Sequence, residues 1–149
     1  MGFYSKSTKL AVRILTYLVS EGADRNRTGR DIARATQVPE PSAAKILQAL
    51  AKRGILESRK GPGGGFRLAS APSKVSLAHI VAAVEGDDYM VECIGGLKRC
   101  IGHPRCPLHD KWAGVKDRMS EFLQTTSLED MLHASHQIAD FVNVRGSFL

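Results

Sequence analysis

Three cysteines and a histidine in the second half of the chain have the residue types and spacing of a metal site. The pattern is Cys93-x6-Cys100-x5-Cys106-x2-His109. Thiolates and an imidazole are suitable ligands for zinc or for an iron–sulfur cluster. Glycines and prolines lie between them, as expected of a loop that wraps around a bulky group: Gly95, Gly96, Gly102 and Pro104. The pattern therefore predicts a metal-binding loop.

The spacing leaves more than one kind of thiol site open. Structural zinc more often uses Cys-x2–4-Cys pairs, and both cysteine gaps here are longer, so zinc is the less favoured metal. An odd cysteine count argues against a disulfide framework. A thiol enzyme is a further interpretation, but the chain has no Cys-x2-Cys redox pair and no convincing catalytic partner for a thiol. We therefore predict a protein that is not an enzyme. His103 is the other candidate for a fourth ligand, and we expect it to be a surface residue.

Charge divides the 149 residues into two unlike halves. Residues 1–70 carry 13 Lys or Arg against 5 Asp or Glu, whereas residues 71–149 carry 8 against 10. A basic half indicates contact with a polyanion such as nucleic acid, and the alternative is an ordinary solvated basic surface. No apolar run approaches the roughly 18 residues needed to cross a membrane, and no signal peptide is recognisable. We therefore expect a cytoplasmic protein without a membrane partner.

The elements of the basic half predict a winged helix-turn-helix. Apolar residues over 10–19 recur at helical spacing. Thr28 has the capping-box position before a short helix, and a second helix is predicted over Pro41–Arg53, ended by Gly54. Two strands follow at 55–60 and 66–69, joined by Gly-Pro-Gly-Gly-Gly at 61–65. The predicted fold is mainly α with a small β-hairpin.

The second helix and the glycine loop supply the predicted DNA contacts. Ser42, Lys45 and Gln48 would face bases in the major groove, with Lys52 near phosphate. The hairpin cations would follow a phosphate strand or enter a narrow minor groove. An ordinary hairpin with solvated charges is the alternative, and a nucleotide phosphate loop is disfavoured because no Lys-Ser/Thr follows the glycines. The full predicted set is Thr28, Ser42, Lys45, Gln48, Lys52, Arg59, Lys60, Gly61, Gly63, Gly64 and Arg67.

A long helix is predicted to begin at Pro107 and to carry a seam for another helix. Its apolar residues recur in steps of 4, 3, 4 and 3, which is the a/d pattern of helix–helix packing. We read this stripe as a packing surface and not as a cofactor site: Leu108, Trp112, Val115, Met119 and Phe122. A shorter helix capped by Ser127 is expected to follow.

Several of these segments together resemble the iron–sulfur winged-helix transcription regulators of the IscR/NsrR type. The resemblance lies in Thr8-Lys-Leu-Ala-Val-Arg-Ile-Leu-Thr-Tyr-Leu, Lys45-Ile-Leu-Gln-Ala-Leu, Gly61-Pro-Gly-Gly-Gly-Phe-Arg-Leu and Cys106-Pro-Leu-His-Asp-Lys-Trp112, together with the three cysteines. It implies a homodimer that binds a double-stranded DNA operator, with promoter choice controlled by the cluster. It also implies a winged-helix domain over 1–86, a cluster-binding loop over 87–106, and a dimerisation helix and C-terminal helix over 107–149.

The same resemblance implies the ligands of the cluster. In the IscR branch three cysteines and a histidine hold a 2Fe-2S cluster, which carries over to Cys93, Cys100, Cys106 and His109. In the NsrR branch an aspartate early in the first helix completes a 4Fe-4S site, and Lys9 stands at that place here. We therefore favour the two-iron cluster over the four-iron form or zinc. The alternative is a cluster-free regulator of the same architecture, controlled by a partner protein or small molecule.

The chain also departs from the family pattern. Its first cysteine gap is one residue longer than expected of the IscR branch, and Ser42-Ala-Ala replaces a frequent Tyr-Leu-Glu at the start of the recognition helix. Base contacts specify an operator, so these changes leave its sequence open.

Overall fold

Helices and a single small hairpin make up the part of the chain that the computed structural model describes, residues 5–89 and 106–134. The fold class is the predicted one, mainly α with a two-stranded antiparallel sheet. Residues 128–134 begin a further helix after the last complete one. In chain order the elements are α1 (Lys6–Ser20), α2 (Gly29–Thr36), α3 (Glu40–Lys52), β1 (Leu56–Arg59), β2 (Gly65–Leu68), a 3-10 turn (Pro72–Lys74), α4 (Leu77–Glu85) and α5 (His109–Thr125).

Side-chain capping explains where α2 and α4 begin. The Thr28 hydroxyl accepts a hydrogen bond from the Asp31 backbone N–H at 3.1 Å, and the Ser76 hydroxyl accepts one from His79 at 3.3 Å. Such caps satisfy backbone donors that have no partner within the helix. Gly54 follows α3 with a φ of +73°, a conformation that favours glycine. Both the capped start of α2 and the glycine stop after α3 are as predicted.

One hydrophobic core joins the helices. The predicted inner face of α3 is buried throughout, namely Ala43, Ile46, Leu47 and Leu50. It packs with Ile14 of α1, Ile32 of α2 and Ile80 of α4. Leu123 and Leu128, at the end of α5 and just beyond it, belong to the same cluster. The C-terminal end of α5 is therefore part of the core that supports the helix-turn-helix.

Backbone hydrogen bonds reinforce this junction between α4 and the end of α5. The Leu77 N–H donates to the Thr126 carbonyl at 2.9 Å, and the Leu128 N–H donates to the Val75 carbonyl at 2.7 Å. At its N-terminal end, α5 begins at His109, two residues later than the predicted Pro107. The His109 N–H donates to the Cys106 carbonyl, so residues 107 and 108 form a turn before the helical bonds begin.

The connection between α1 and α2 also forms backbone hydrogen bonds with the hairpin. β1 and β2 pair antiparallel, with Leu56 opposite Leu68. Arg27, in the connection between α1 and α2, exchanges two backbone hydrogen bonds with Phe66 of β2, at 3.0 and 2.8 Å. The hairpin is thus attached to the residues that lead directly into α2. No helix within residues 5–89 and 106–134 is long and apolar enough to span a membrane.

Candidate nucleic-acid interface and metal ligands

The outer face of α3 presents the polar side chains that the sequence predicts for base contact. Lys45, Gln48 and Lys52 are exposed, and Ser42 is half-buried. Their spacing of three and four residues places them on one side of the helix, opposite the buried leucines. The tight turn before α3 contains Gln37, whose φ of 54° lies in the left-handed region. This turn lets α2 pack against α3 while the polar face of α3 remains accessible.

The glycine loop between β1 and β2, residues 61–64, carries two exposed cations at its entrance. Arg59 and Lys60 are exposed, and neither forms an ion pair with any residue in the described ranges. Gly61 and Gly63 adopt positive φ values of 86° and 71°. A Cβ built on Gly64 would lie 2.3 Å from the Arg59 carbonyl oxygen, so the loop folds back closely on its own strand. Glycine is needed at that position for steric reasons.

Two of the predicted DNA-binding residues already have intramolecular partners. Arg67 donates from Nε and Nη2 to Oε2 of Glu57, the residue opposite it on β1, at 2.8 and 2.7 Å. The Thr28 hydroxyl caps α2 and also donates to the Asp31 carboxylate at 2.7 Å. Both side chains lie beside the hairpin and the start of α2, so their contact with DNA stays a prediction.

Asn26 is a contributor to this region that sequence reasoning missed. Its side-chain Nδ2 donates to the Gly63 carbonyl at 3.1 Å. The two residues are 37 positions apart in the chain, and no local pattern signals their proximity. The sequence does predict the hairpin, but it does not show that the loop of this hairpin lies beside the α1–α2 connection, which contains Asn26.

Two of the four predicted metal ligands lie in the described residues and are close in the chain and in space. Cys106 is exposed, and His109 is the first residue of α5. The backbone hydrogen bond of 3.1 Å between them places both on one turn. Cys93 and Cys100 lie outside the described residues, and within the described ranges no three metal-ligating side chains converge. A thiol and an imidazole on one accessible turn fit the donor set of an iron–sulfur or zinc site.

Polar contacts connect the helix-turn-helix to the start of the segment that holds the cysteines. Arg53, directly after α3, contacts Asp87, two residues after α4, with 2.9 Å between Nη2 and Oδ2. The hydrogen bond and the positive charge of Arg53 hold the pKa of the Asp87 carboxyl below its ordinary value. The pair is therefore intact above the ordinary pKa of aspartate and is lost as the pH falls through the lowered value. Glu85 similarly accepts hydrogen bonds from the hydroxyls of Ser5 and Thr8, which ties the end of α4 to the start of α1.

The predicted seam of α5 is largely open to solvent. Leu108 and Phe122 are each 53% exposed, and Val115 is 43% exposed. Trp112 and Met119, which complete the stripe, are half-buried. Apolar side chains at this spacing are costly to leave in water, so the stripe is a candidate surface for association.

Near the stripe's C-terminal end lies an apolar groove of about 940 Å³. Leu10 and Val12 of α1, Val81 of α4 and Leu123 of α5 line it, with Lys6 and Lys9 at its rim. The groove therefore lies where α1, α4 and the last turn of α5 meet.

Comparison with known proteins agrees with this geometry. The family Rrf2, described as iron-dependent transcriptional regulator, matches residues 4–134. Protein aau3 of Rhizobium meliloti is 34% identical over 140 residues, covering 90% of this chain and 87% of that protein. The HTH-type transcriptional regulator IscR of Aliivibrio salmonicida is 28% identical over 116 residues, covering 76% of this chain and 68% of the relative.

A solved structure shows the same fold. The global cysteine regulator CymR of B. subtilis superposes with a TM-score of 0.73 at 22% identity, covering 90% of this chain and 98% of that one. The resemblance to winged-helix regulators of the IscR/NsrR type is confirmed, and with it the prediction that the protein is not an enzyme. It regulates transcription and binds DNA through its winged helix-turn-helix. The chain belongs to the Rrf2 family of iron-dependent transcriptional regulators.

Proposed function

We propose that this protein is a homodimeric transcription regulator whose binding to its promoters is controlled by an iron–sulfur cluster. The observation that carries the proposal is the turn at the start of α5, where Cys106 is exposed one turn away from His109. The same helix carries the exposed apolar stripe. A ligand set at this turn would therefore act directly on the element that we propose as the dimer interface.

The DNA-binding residues divide by the part of the duplex they would meet. Ser42, Lys45 and Gln48 would read base edges in the major groove, where each base pair presents a distinct pattern of donors and acceptors. Lys52 and the loop residues would contact phosphates and release condensed counterions. Arg67 could contact DNA only if it leaves its partner Glu57, and Thr28 would contact the DNA backbone beside the wing. The proposed wing residues are Arg59, Lys60, Gly61, Gly63, Gly64 and Arg67.

We propose Cys93, Cys100, Cys106 and His109 as the ligands of a 2Fe-2S cluster, with zinc or a four-iron cluster as the less favoured alternatives. When bound, such a cluster supplies a redox-active centre that is sensitive to oxidants. The chain must present deprotonated thiols and a neutral imidazole nitrogen to hold it. Lys9, at the position of the fourth ligand in the NsrR branch, has no lone pair to offer when charged, which supports the choice of His109.

The fold offers a route from this turn to the DNA-binding surface. Holding residues 93 and 100 against the start of α5 would constrain residues 87–106 at both ends. At the first end, Asp87 is paired with Arg53 at the end of α3. At the other, α5 leads into the common core through Leu123. The constraint would therefore bias the spacing of two recognition helices in a dimer, and with it operator affinity.

The cluster proposal is tested by comparing one protein with and without its cluster. The full chain is prepared without oxygen, its iron and acid-labile sulfide are quantified, and its preferred DNA is selected from a random duplex library. We expect coloured, iron-containing protein and an operator affinity that differs at least tenfold between the two forms at fixed salt concentration. Equal affinities, or protein that takes up no iron after enzymatic reconstitution, would instead support the cluster-free regulator.

The dimer is tested by a charge in the α5 stripe. Phe122→Asp is expected to weaken self-association at least 100-fold, because a two-fold interface loses two apolar side chains and buries two unpaired carboxylates. Gln124→Asp is the matched control, since it adds the same charge on the exposed opposite side of α5. Sedimentation across a concentration series measures both. A Phe122→Asp protein that remains as dimeric as the control would contradict the assignment of this stripe.

A further inference from the structure

The connection between α1 and α2 forms a support along β2. The Leu68 N–H donates to the Ala23 carbonyl at 3.1 Å, and Arg27 exchanges two backbone hydrogen bonds with Phe66. A Cβ built on Gly65 would lie 2.3 Å from the Arg27 carbonyl oxygen, so the two backbones approach as closely as glycine allows. β2 is therefore held against this connection along its whole length, from Leu68 to Gly65.

The glycine loop extends beyond this support and has much less to hold it. Built Cβ atoms on Gly61 and Gly63 meet nothing within 4 Å, so the outer side of the loop is open. One internal turn bond, from the Gly64 N–H to the Gly61 carbonyl at 3.0 Å, closes the loop. Within the described ranges, Asn26 is the one side chain that hydrogen-bonds to it, from Nδ2 to the Gly63 carbonyl at 3.1 Å.

We infer that Asn26 is a positioning residue for DNA binding, which holds the glycine loop so that Arg59 and Lys60 meet the duplex in one orientation. The inference rests on the proposed contact between this wing and DNA. Glycine-rich loops have many accessible conformations, and ordering them on binding costs affinity. A hydrogen bond made before DNA arrives removes part of that cost. The Asn26 amide supplies it from the same connection that caps α2 through Thr28, so the loop and the helix-turn-helix share one support.

The test is a double-mutant cycle on the full chain with its selected operator. Asn26→Ala is expected to weaken operator binding about five-fold, the size of one net hydrogen bond, and to lower the thermal midpoint by no more than about 4 °C, because a single hydrogen bond is lost from a domain of this size. In the Arg59→Ala/Lys60→Ala background, Asn26→Ala should have no further effect, because the cations it positions are gone. The paired charge variant itself should weaken binding and flatten the salt dependence by up to about two units in the log–log slope.

The outcomes separate this inference from the proposed wing contact. If Arg59→Ala/Lys60→Ala changes neither operator affinity nor its salt dependence, the wing does not contact DNA. Both the proposed wing contact and the positioning role of Asn26 are then contradicted. If that variant weakens binding while Asn26→Ala has no effect, or has the same effect in both backgrounds, Asn26 does not act through the wing and only the inference is overturned. Gln124→Ala is the matched control, since it removes a side-chain amide that bonds to Ser120 at 3.0 Å on α5, and it should leave affinity unchanged.

Discussion

Cys106→Ala is expected to reduce the iron and acid-labile sulfide of oxygen-free preparations to background and to abolish their visible absorbance. A two-iron cluster with four protein ligands loses a strong thiolate, and alanine offers no atom to replace it. Cys106 is exposed in the described structure, so its removal should not disturb the hydrophobic core. We therefore expect cluster-free Cys106→Ala and cluster-free wild type to unfold at the same temperature.

The DNA-binding behaviour of this variant follows from the same argument. Its operator affinity should equal that of cluster-free wild type and should no longer respond to reconstitution. His133→Ala is the matched control, because His133 is an exposed histidine on the helical residues after Ser127 and is not a predicted ligand. Measured side by side, His133→Ala should retain full iron content. Retention of iron and sulfide by Cys106→Ala would remove this residue from the ligand set.

Gly65→Ala is expected to destabilise the wing by about 2 to 3 kcal/mol, at the upper end of costs for backbone strain. The φ of Gly65 is +128°, which L-residues rarely adopt, and the added Cβ would lie 2.3 Å from the Arg27 carbonyl oxygen and 3.0 Å from the Thr28 nitrogen. This steric overlap can be relieved only if the hairpin moves away from the connection that leads into α2. Chemical denaturation should report the loss of stability, and operator binding should fall with it.

Gly63→Ala, in the loop that precedes β2, provides the control. Its φ is +71°, but a built Cβ meets nothing within 4 Å, so only the conformational penalty of about 1 kcal/mol applies. A difference between the two variants isolates the close approach of β2 to Arg27. If the free energy of unfolding falls by the same amount in both variants, the close contact between Gly65 and the α1–α2 connection makes no additional contribution to stability.

Much of this fold could be predicted because its signals are local. The Thr28 and Ser76 caps lie within one helical turn of the backbone groups they bind, and the inner face of α3 follows from apolar spacing alone. The sequence predicts that α5 begins at Pro107, directly before the apolar stripe. The structure instead forms a turn there, because the Cys106 carbonyl accepts the His109 N–H before the helix begins.

The site was harder to predict because its connections are long-range. The pairs Asn26–Gly63 and Arg53–Asp87 join residues 37 and 34 positions apart, and they form only once the helices and hairpin pack. The pairing of Arg67 with Glu57 depends on strand register, which the loop length alone left open. Residue types could therefore indicate DNA contact, but they could not show which cations were already engaged.

The attachment of the C-terminal end of α5 to the core has a geometric consequence. Leu123 and the backbone hydrogen bonds beside α4 hold the C-terminal end of α5, and Cys106 and His109 lie at its opposite end. A helix of 17 residues is about 25 Å long. A tilt of about 10° at the clamped end would carry the tip about 4 Å, by the same helix geometry. With its C-terminal end held in the core, a small change in the angle of α5 would therefore displace the thiol end of the helix much further than the end beside the DNA-binding helices.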